Sequence, residues 1–149
     1  MSTIGFDTSN YTTSTAWTDG KTDINVRQIL YVKDGERGIR QSDGVFQHMK
    51  LMPVMYEKLS EQIDFKDVKA VGVSTRPRCV EGSYMPVFLA GEGYAKVVAN
   101  TLGVTLYEFS HQDGHIMAGI YSSGSFELLE NDFISVHLSG GTTEILKSR

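Results

Sequence analysis

Two of the chain's four histidines, His111 and His115, lie four residues apart in "SHQDGH", Ser110 to His115. On a helix that spacing places two imidazoles on one face, where they can share a divalent ion. Two ordinary helix histidines are the alternative. Ser110 and Asp113 have the S-x-x-D spacing of a capping box, which would start the helix at His111 and give Asp113 a structural task. Gly114 costs a helix about 1 kcal/mol relative to alanine, and close approach of another group to the backbone would explain it. In "FISVHLSG" the alternation sets Ile134, Val136 and Leu138 on one face of a strand and Ser135 and His137 on the other. His137 is then either a third ligand of an open site, with water in the fourth position, or a solvent-facing strand residue.

Two turns have the composition of phosphate cradles. "FDTSN" closes a β-rich run with Asp7, Thr8 and Ser9, and "LSGGTT" offers Ser139, Gly140, Gly141, Thr142 and Thr143. The two glycines permit positive φ and close approach of backbone amides to an anion, although a Gly-Gly pair also serves as a plain hairpin turn. At an offset of 130, "IGFDTSNYTTST" lies over "ISVHLSGGTTEI", matching Ile4 with Ile134, Ser9 with Ser139, and Thr12-Thr13 with Thr142-Thr143. Two facing hairpins of this kind can hold the phosphates of one nucleotide between them. Arg76 and Arg78 are candidates for a basic mouth, or simply solvated side chains.

These residues need a scaffold. Ser2–Phe6, Ser14–Thr18 and Ile29–Val32 read as three short strands with turns at Asp19-Gly20 and Asp34-Gly35, and short connections imply antiparallel pairing. Met49, Met52, Tyr56, Leu59 and Ile63 then recur at helical spacing, interrupted by Pro53, which should kink the helix or start its second half. Val68–Ser74 is an apolar strand, and Ala90, Tyr94, Val97 and Val98 mark a helix stopped near Gly103. Thr105–Phe109 is a strand, the histidine segment a short helix, and the last residues a strand, a tight turn and a strand. The order β-β-β-α-β-α-β-α-β-β points to an α/β fold, a mixed sheet with helices packed on it.

The bulk properties set the boundaries. With 149 residues, 40% hydrophobic and 21% charged, the composition is that of a globular chain with a sizeable core. Cys79 is the single cysteine, so no intramolecular disulfide forms and a reducing, cytoplasmic setting is expected. No basic-then-apolar start suggests a signal peptide, and no apolar run is long enough to span a membrane. A net charge of −4 does not suit a protein that grips nucleic acid alone.

"GFDTS", "VGVSTRP", "HQDGH" and "LSGGTTEI", in this order and spacing, resemble the tRNA threonylcarbamoyladenosine synthase family, also known as the O-sialoglycoprotein endopeptidases or glycoproteases. The resemblance implies the actin, sugar-kinase and Hsp70-like (ribonuclease H-like) ATPase fold, built of two duplicated lobes. Residues 1–131 would be the first lobe, with a mixed five-stranded sheet, and 132–149 the opening hairpin of a second, which accounts for the internal repeat. The family's H-x-E-G-H corresponds to His111, Asp113, Gly114 and His115, with Asp113 in place of the glutamate, implying zinc or iron on the two histidines. Some members place an aromatic hydroxyl ligand where His137 stands. The family's adenylate-holding loop matches Ser139, Gly140, Gly141, Thr142 and Thr143, and ATP or an adenylate is the implied nucleotide. Departures fall in the cleft: Asn10, Tyr11 and Thr12 replace a cysteine and two acids, and "RPRCVEG" replaces a glycine-rich loop.

The resemblance thus implies transfer of a threonylcarbamoyl group from an adenylate to tRNA adenosine, with turnover not expected from one lobe alone and tRNA met only within a complete complex. A non-catalytic nucleotide- or partner-binding scaffold of the same fold is the alternative, and the lost acids favour it. A metallo-endopeptidase is weaker, because Gln112 stands where H-E-x-x-H needs its glutamate. The apolar, unpaired final hairpin implies a partner, either a second copy in a homodimer or a related scaffold subunit.

Overall fold

The computed structural model describes residues 1–139 and 142–148, the side chains of Ser139 and Thr142 excepted. The chain divides into two compact units, Met1–His111 and Gln112–Arg149.

In the first unit, β1 (Ser2–Asp7), β2 (Thr12–Thr18) and β3 (Asp23–Ile29) form an antiparallel meander. Helix α1 (Gln41–Ser60), β4 (Val68–Arg76), α2 (Phe88–Leu102) and β5 (Thr105–Ser110) follow. The sheet order is β3-β2-β1-β4-β5, with β4 parallel to both β1 and β5, so the sheet is mixed and five-stranded as expected. The strands alternate because one face is covered: Ile4 and Phe6 of β1 and Val68, Val71 and Val73 of β4 meet Met52 and Leu59 of α1 and Ala95 and Ala99 of α2. The Tyr56 ring stacks on Phe6 at 5.7 Å and meets Phe65 at 6.0 Å. Small alanines on α2 let the helix lie close to the sheet. Its end is set by Gly103, whose φ of 65° is the left-handed closure a glycine adopts without strain.

The third strand differs from the expected Ile29–Val32. The Asp19 carboxylate accepts from the amides of Lys21 and Thr22, both at 2.8 Å, closing the turn early. Register then pairs Thr18 with Asp23 and Thr12 with Ile29, so the polar run "DINVRQI" becomes the strand. The apolar "ILYV" is where the chain leaves the sheet. Leu30 is buried, and the Tyr31 backbone is clasped by the Gln47 side chain of α1 at 2.8 and 2.9 Å. Helix α1 also continues through Pro53, because Met52 and Met55 on either side are both buried. Its buried row is Gly44, His48, Met52, Met55 and Leu59, while Met49 is 47% exposed and Ile63 lies beyond the helix end.

In the second unit, α3 (His111–Ser123, its first residue assigned to the first unit) and a 3₁₀ turn at Phe126–Glu130 precede the antiparallel hairpin β6 (Phe133–Ser139) and β7 (Thr142–Ser148). The alternation is as expected but its burial is the reverse of the usual one. Ile134, Leu138 and Ile145 are 72–74% exposed, whereas Ser135, His137 and Glu144 are partly covered. His137 lies on this partly covered side of the hairpin.

The burial map makes a direct prediction. Met52 is fully enclosed in the core, so Met52→Ala should cost about 2–5 kcal/mol in urea unfolding. Met49→Ala, on the exposed side of the same helix, should stay within about 0.5 kcal/mol of the parent. Equal effects would refute the assigned face.

Candidate functional site

The carboxyl ends of the parallel strands are where an α/β sheet ordinarily receives its ligand. Here they gather Asp7 from β1, Ser74 from β4 and His111 following β5. Asp7 Oδ1 accepts from the Ser9 amide at 2.8 Å, a local turn that fixes the carboxylate's rotation. Its Oδ2 lies 2.9 Å from His111 Nδ1. Burial alone would push the Asp7 carboxyl up. The His111 hydrogen bond and charge, with contributions from Ser74 and Ser9, outweigh it and draw the group down to about 2. The Phe88 ring, at the start of α2, sits 6.2 Å from the His111 ring.

Thr8 is fully buried. Its Oγ1 donates to the Val87 carbonyl at 2.8 Å and accepts from the Gly91 amide at 3.0 Å, tying the β1 turn to the first turn of α2. The fit is close enough that a Cβ on Gly91 would come within 2.8 Å of Thr8 Oγ1, which explains glycine there. Of the first expected cradle, then, Thr8 and Asp7 are engaged with the fold itself, and the Ser9 amide is held by Asp7.

Of the second cradle, Gly140 and Gly141 lie outside the described residues. Ser139 and Thr142 are paired across the hairpin, and Thr143 is exposed opposite Leu138. In the same unit the His115 and His137 rings stack at 5.5 Å, and His137 Nδ1 lies 3.8 Å from Glu144 Oε2 without a hydrogen bond. Gln112 Nε2 donates to that same Glu144 oxygen at 2.7 Å. His115, Gly119, Ile120, Leu128, Ser135 and His137 line part of a cavity of about 270 Å³. Among the described residues no three His, Cys, Asp or Glu side chains converge as an ion's ligands.

Sequence reasoning missed His48 and Ser74. His48 is fully buried on α1 with Nδ1 2.8 Å from Thr13 Oγ1, and its Nε2 has no hydrogen-bond partner. Continuing the Met52–Leu59 stripe one turn toward the helix start reaches it, so the signal was present. Ser74, the seventh residue of β4, had no signal of its own.

The fold defines an α/β lobe of the actin, sugar-kinase and Hsp70 type. In structure the chain is similar to YeaZ from Pseudomonas aeruginosa, with a TM-score of 0.55 and 13% identity over 99% of this chain and 65% of that one. It is likewise similar to an uncharacterized protein with similarity to peptidase YEAZ from the same organism, at a TM-score of 0.57 and 12% identity over 99% and 64%. No protein-family model matches the sequence.

In sequence the chain is similar to curated tRNA N6-adenosine threonylcarbamoyltransferases. It is 32% identical to that of Christiangramia forsetii over 98 residues, 65% of this chain and 27% of the relative. It is 28% identical to that of Pyrobaculum calidifontis over 144 residues, 95% of this chain and 40% of the relative. The Clostridium kluyveri protein is 32% identical over 101 residues, 66% of this chain and 27% of the relative. The chain thus spans well under half the length of these relatives. Among the described residues no helix is long and apolar enough to cross a membrane.

His48 yields a pH prediction. Burial holds its imidazole down to about 4, with the Asp7 charge pulling the other way. An unfolded histidine titrates near 6.5, so between those values the unfolded chain binds a proton that the folded one refuses. Stability from this residue is therefore complete above about pH 6.5 and lost as pH falls toward 4. His48→Gln should flatten that part of the stability profile in urea unfolding at pH 7 and pH 5. Equal losses in parent and variant would rule the account out.

Proposed function

We propose that the chain is the metal- and adenine-nucleotide-binding first lobe of a transferase that moves a threonylcarbamoyl group from an adenylate to N6 of a tRNA adenosine. The observation that carries the reading is the Asp7–His111 pair at the carboxyl ends of the parallel strands, in a chain homologous to enzymes with that name. His111 and His115, four apart on α3, would supply two donors to zinc or iron. Such an ion is a Lewis acid that polarises a carbonyl under attack. The chain's own residues orient and hold: Asp7 faces His111 and Thr8 pins the turn to α2, and the Asp7–Ser9 and Ser139–Thr143 turns are the candidates for contacts to the nucleotide. The reading places the protein in the cytoplasm, with tRNA met in a larger complex.

A second reading is a non-catalytic scaffold of the same fold. One observation favours it: Asp7 and Thr8 already spend their hydrogen bonds inside the lobe. Elemental analysis separates the two. The parent should carry stoichiometric zinc or iron, and the double variant His111→Ala, His115→Ala should carry none. An equal metal content in both would sink the metal site. Calorimetry with ATP should give binding weaker than micromolar, and micromolar or tighter affinity would contradict a nucleotide held by one lobe.

The same reading includes a partner, and the exposed row Ile134, Val136, Leu138 and Ile145 on β6 and β7 is the surface for a second copy. Closed two-fold association covers both rows at once. Light scattering should report a dimer for the whole chain and a monomer for the chain cut before Asp132. A monomer in both cases would overturn the self-association.

A further inference from the structure

We propose that Asp7 is a positioning residue for His111, its carboxylate accepting the Nδ1 proton and so fixing the tautomer whose Nε2 carries a lone pair for a metal ion. The inference rests on the metal reading above for its purpose, and on the geometry of the first unit for its substance.

Three observations converge on it. The two residues stand 104 positions apart and meet at 2.9 Å because β1 and β5 both run parallel to β4. The carboxylate cannot turn away freely, since Oδ1 is held by the Ser9 amide at 2.8 Å while Oδ2 faces the ring. Finally, an ionised carboxylate only accepts hydrogen bonds, so the ring nitrogen against it must donate. A neutral imidazole with its proton on Nδ1 has its lone pair on Nε2. The Phe88 ring, 6.2 Å away, also packs beside the His111 imidazole. The sequence suggested a different task for Asp7, as part of a phosphate cradle. Each of its oxygens already holds a hydrogen bond within the lobe, and that commitment favours the imidazole.

The test reads the tautomer directly, in metal-free protein labelled with ¹⁵N at about pH 8, where an ordinary histidine is neutral. Two-bond ¹H–¹⁵N spectra of the parent should show the His111 proton on Nδ1. Asp7→Asn is isosteric. With its oxygen kept by the Ser9 amide, it turns an NH₂ toward Nδ1, so the His111 proton should move to Nε2 while His115 stays unchanged. Cobalt(II) or zinc titration of that variant should show a dissociation constant raised about 10–100-fold, the usual effect of losing an outer partner of a ligand. Thermal melting serves as the control, because a purely structural ion pair would change melting without moving tautomer and affinity together. A parent with its proton on Nε2 would overturn the proposal, and this measurement needs no variant to fold. An Asp7→Asn protein with unchanged tautomer and unchanged metal affinity would overturn it equally. A parent with the Nδ1 proton but no metal uptake would sink the metal reading and leave the Asp7–His111 assignment standing.

Discussion

A carboxylate partly withdrawn from water must be compensated or neutralised, and the first unit is arranged around how Asp7 meets that requirement. Its partners come from three places: the Ser9 amide from its own turn, Ser74 from β4 and the His111 ring from the end of β5. The Ser74 and His111 contacts exist only while β1, β4 and β5 lie parallel in the observed register, with Phe6 beside Val73 and Ser74 beside Phe109. The apolar side chains bring the strands together without strongly preferring one polar arrangement at their ends. The hydrogen bonds at Asp7 supply that preference, because a slip of one residue would take Ser74 and His111 away from its carboxylate. The same end of the sheet is closed from the helix side by Thr8, which binds two groups of the first turn of α2 and leaves room for nothing larger than hydrogen on Gly91.

Much of this was legible in the sequence, and the failures have identifiable causes. Helices α1 and α2 and strands β1 and β4 follow from periodicity, since each buries one face and hydrophobic spacing reports that burial. β3 was misplaced because hydrophobicity drew attention to "ILYV", whereas the pairing is dictated by the Asp19 turn and by register with β2. The edge strand needs few apolar residues, and Leu30 and Tyr31 serve α1 instead. His111 was found through its spacing from His115, but its bond to Asp7 was not readable. The two residues belong to different local motifs, and only the parallel crossovers bring them together. His48 escaped for the opposite reason. A histidine on an apolar helical row does not look like core until Thr13 is seen to satisfy one of its nitrogens.

The second unit shows how polar contacts can outrank the hydrophobic pattern in choosing which face of a hairpin is covered. Alternation divides β6 correctly into Ile134, Val136 and Leu138 on one side and Ser135 and His137 on the other, yet the row of Ser135 and His137, which also holds Phe133 and Leu146, is the covered one. Helix α3 provides the reason, residue by residue. His115 lays its ring against His137, and Gln112 donates to Glu144, which stands opposite His137 in the register. A ring stack and a hydrogen bond to a carboxylate offset the cost of taking these groups partly out of water. Apolar side chains on the same row would forfeit the bond to Gln112. The consequence is an uncovered ladder in which Val136 pairs with Ile145 between Ile134 and Leu138, on a two-stranded sheet that is marginal by itself. Burying one such side chain is worth about 1.5–3 kcal/mol, and that stabilisation is forgone along the whole ladder. The stacked histidines and the exposed ladder are thus two results of one choice: the face that lays His137 on His115 and Glu144 on Gln112, although His137 Nδ1 gains no hydrogen bond, is the face that leaves the apolar ladder outward.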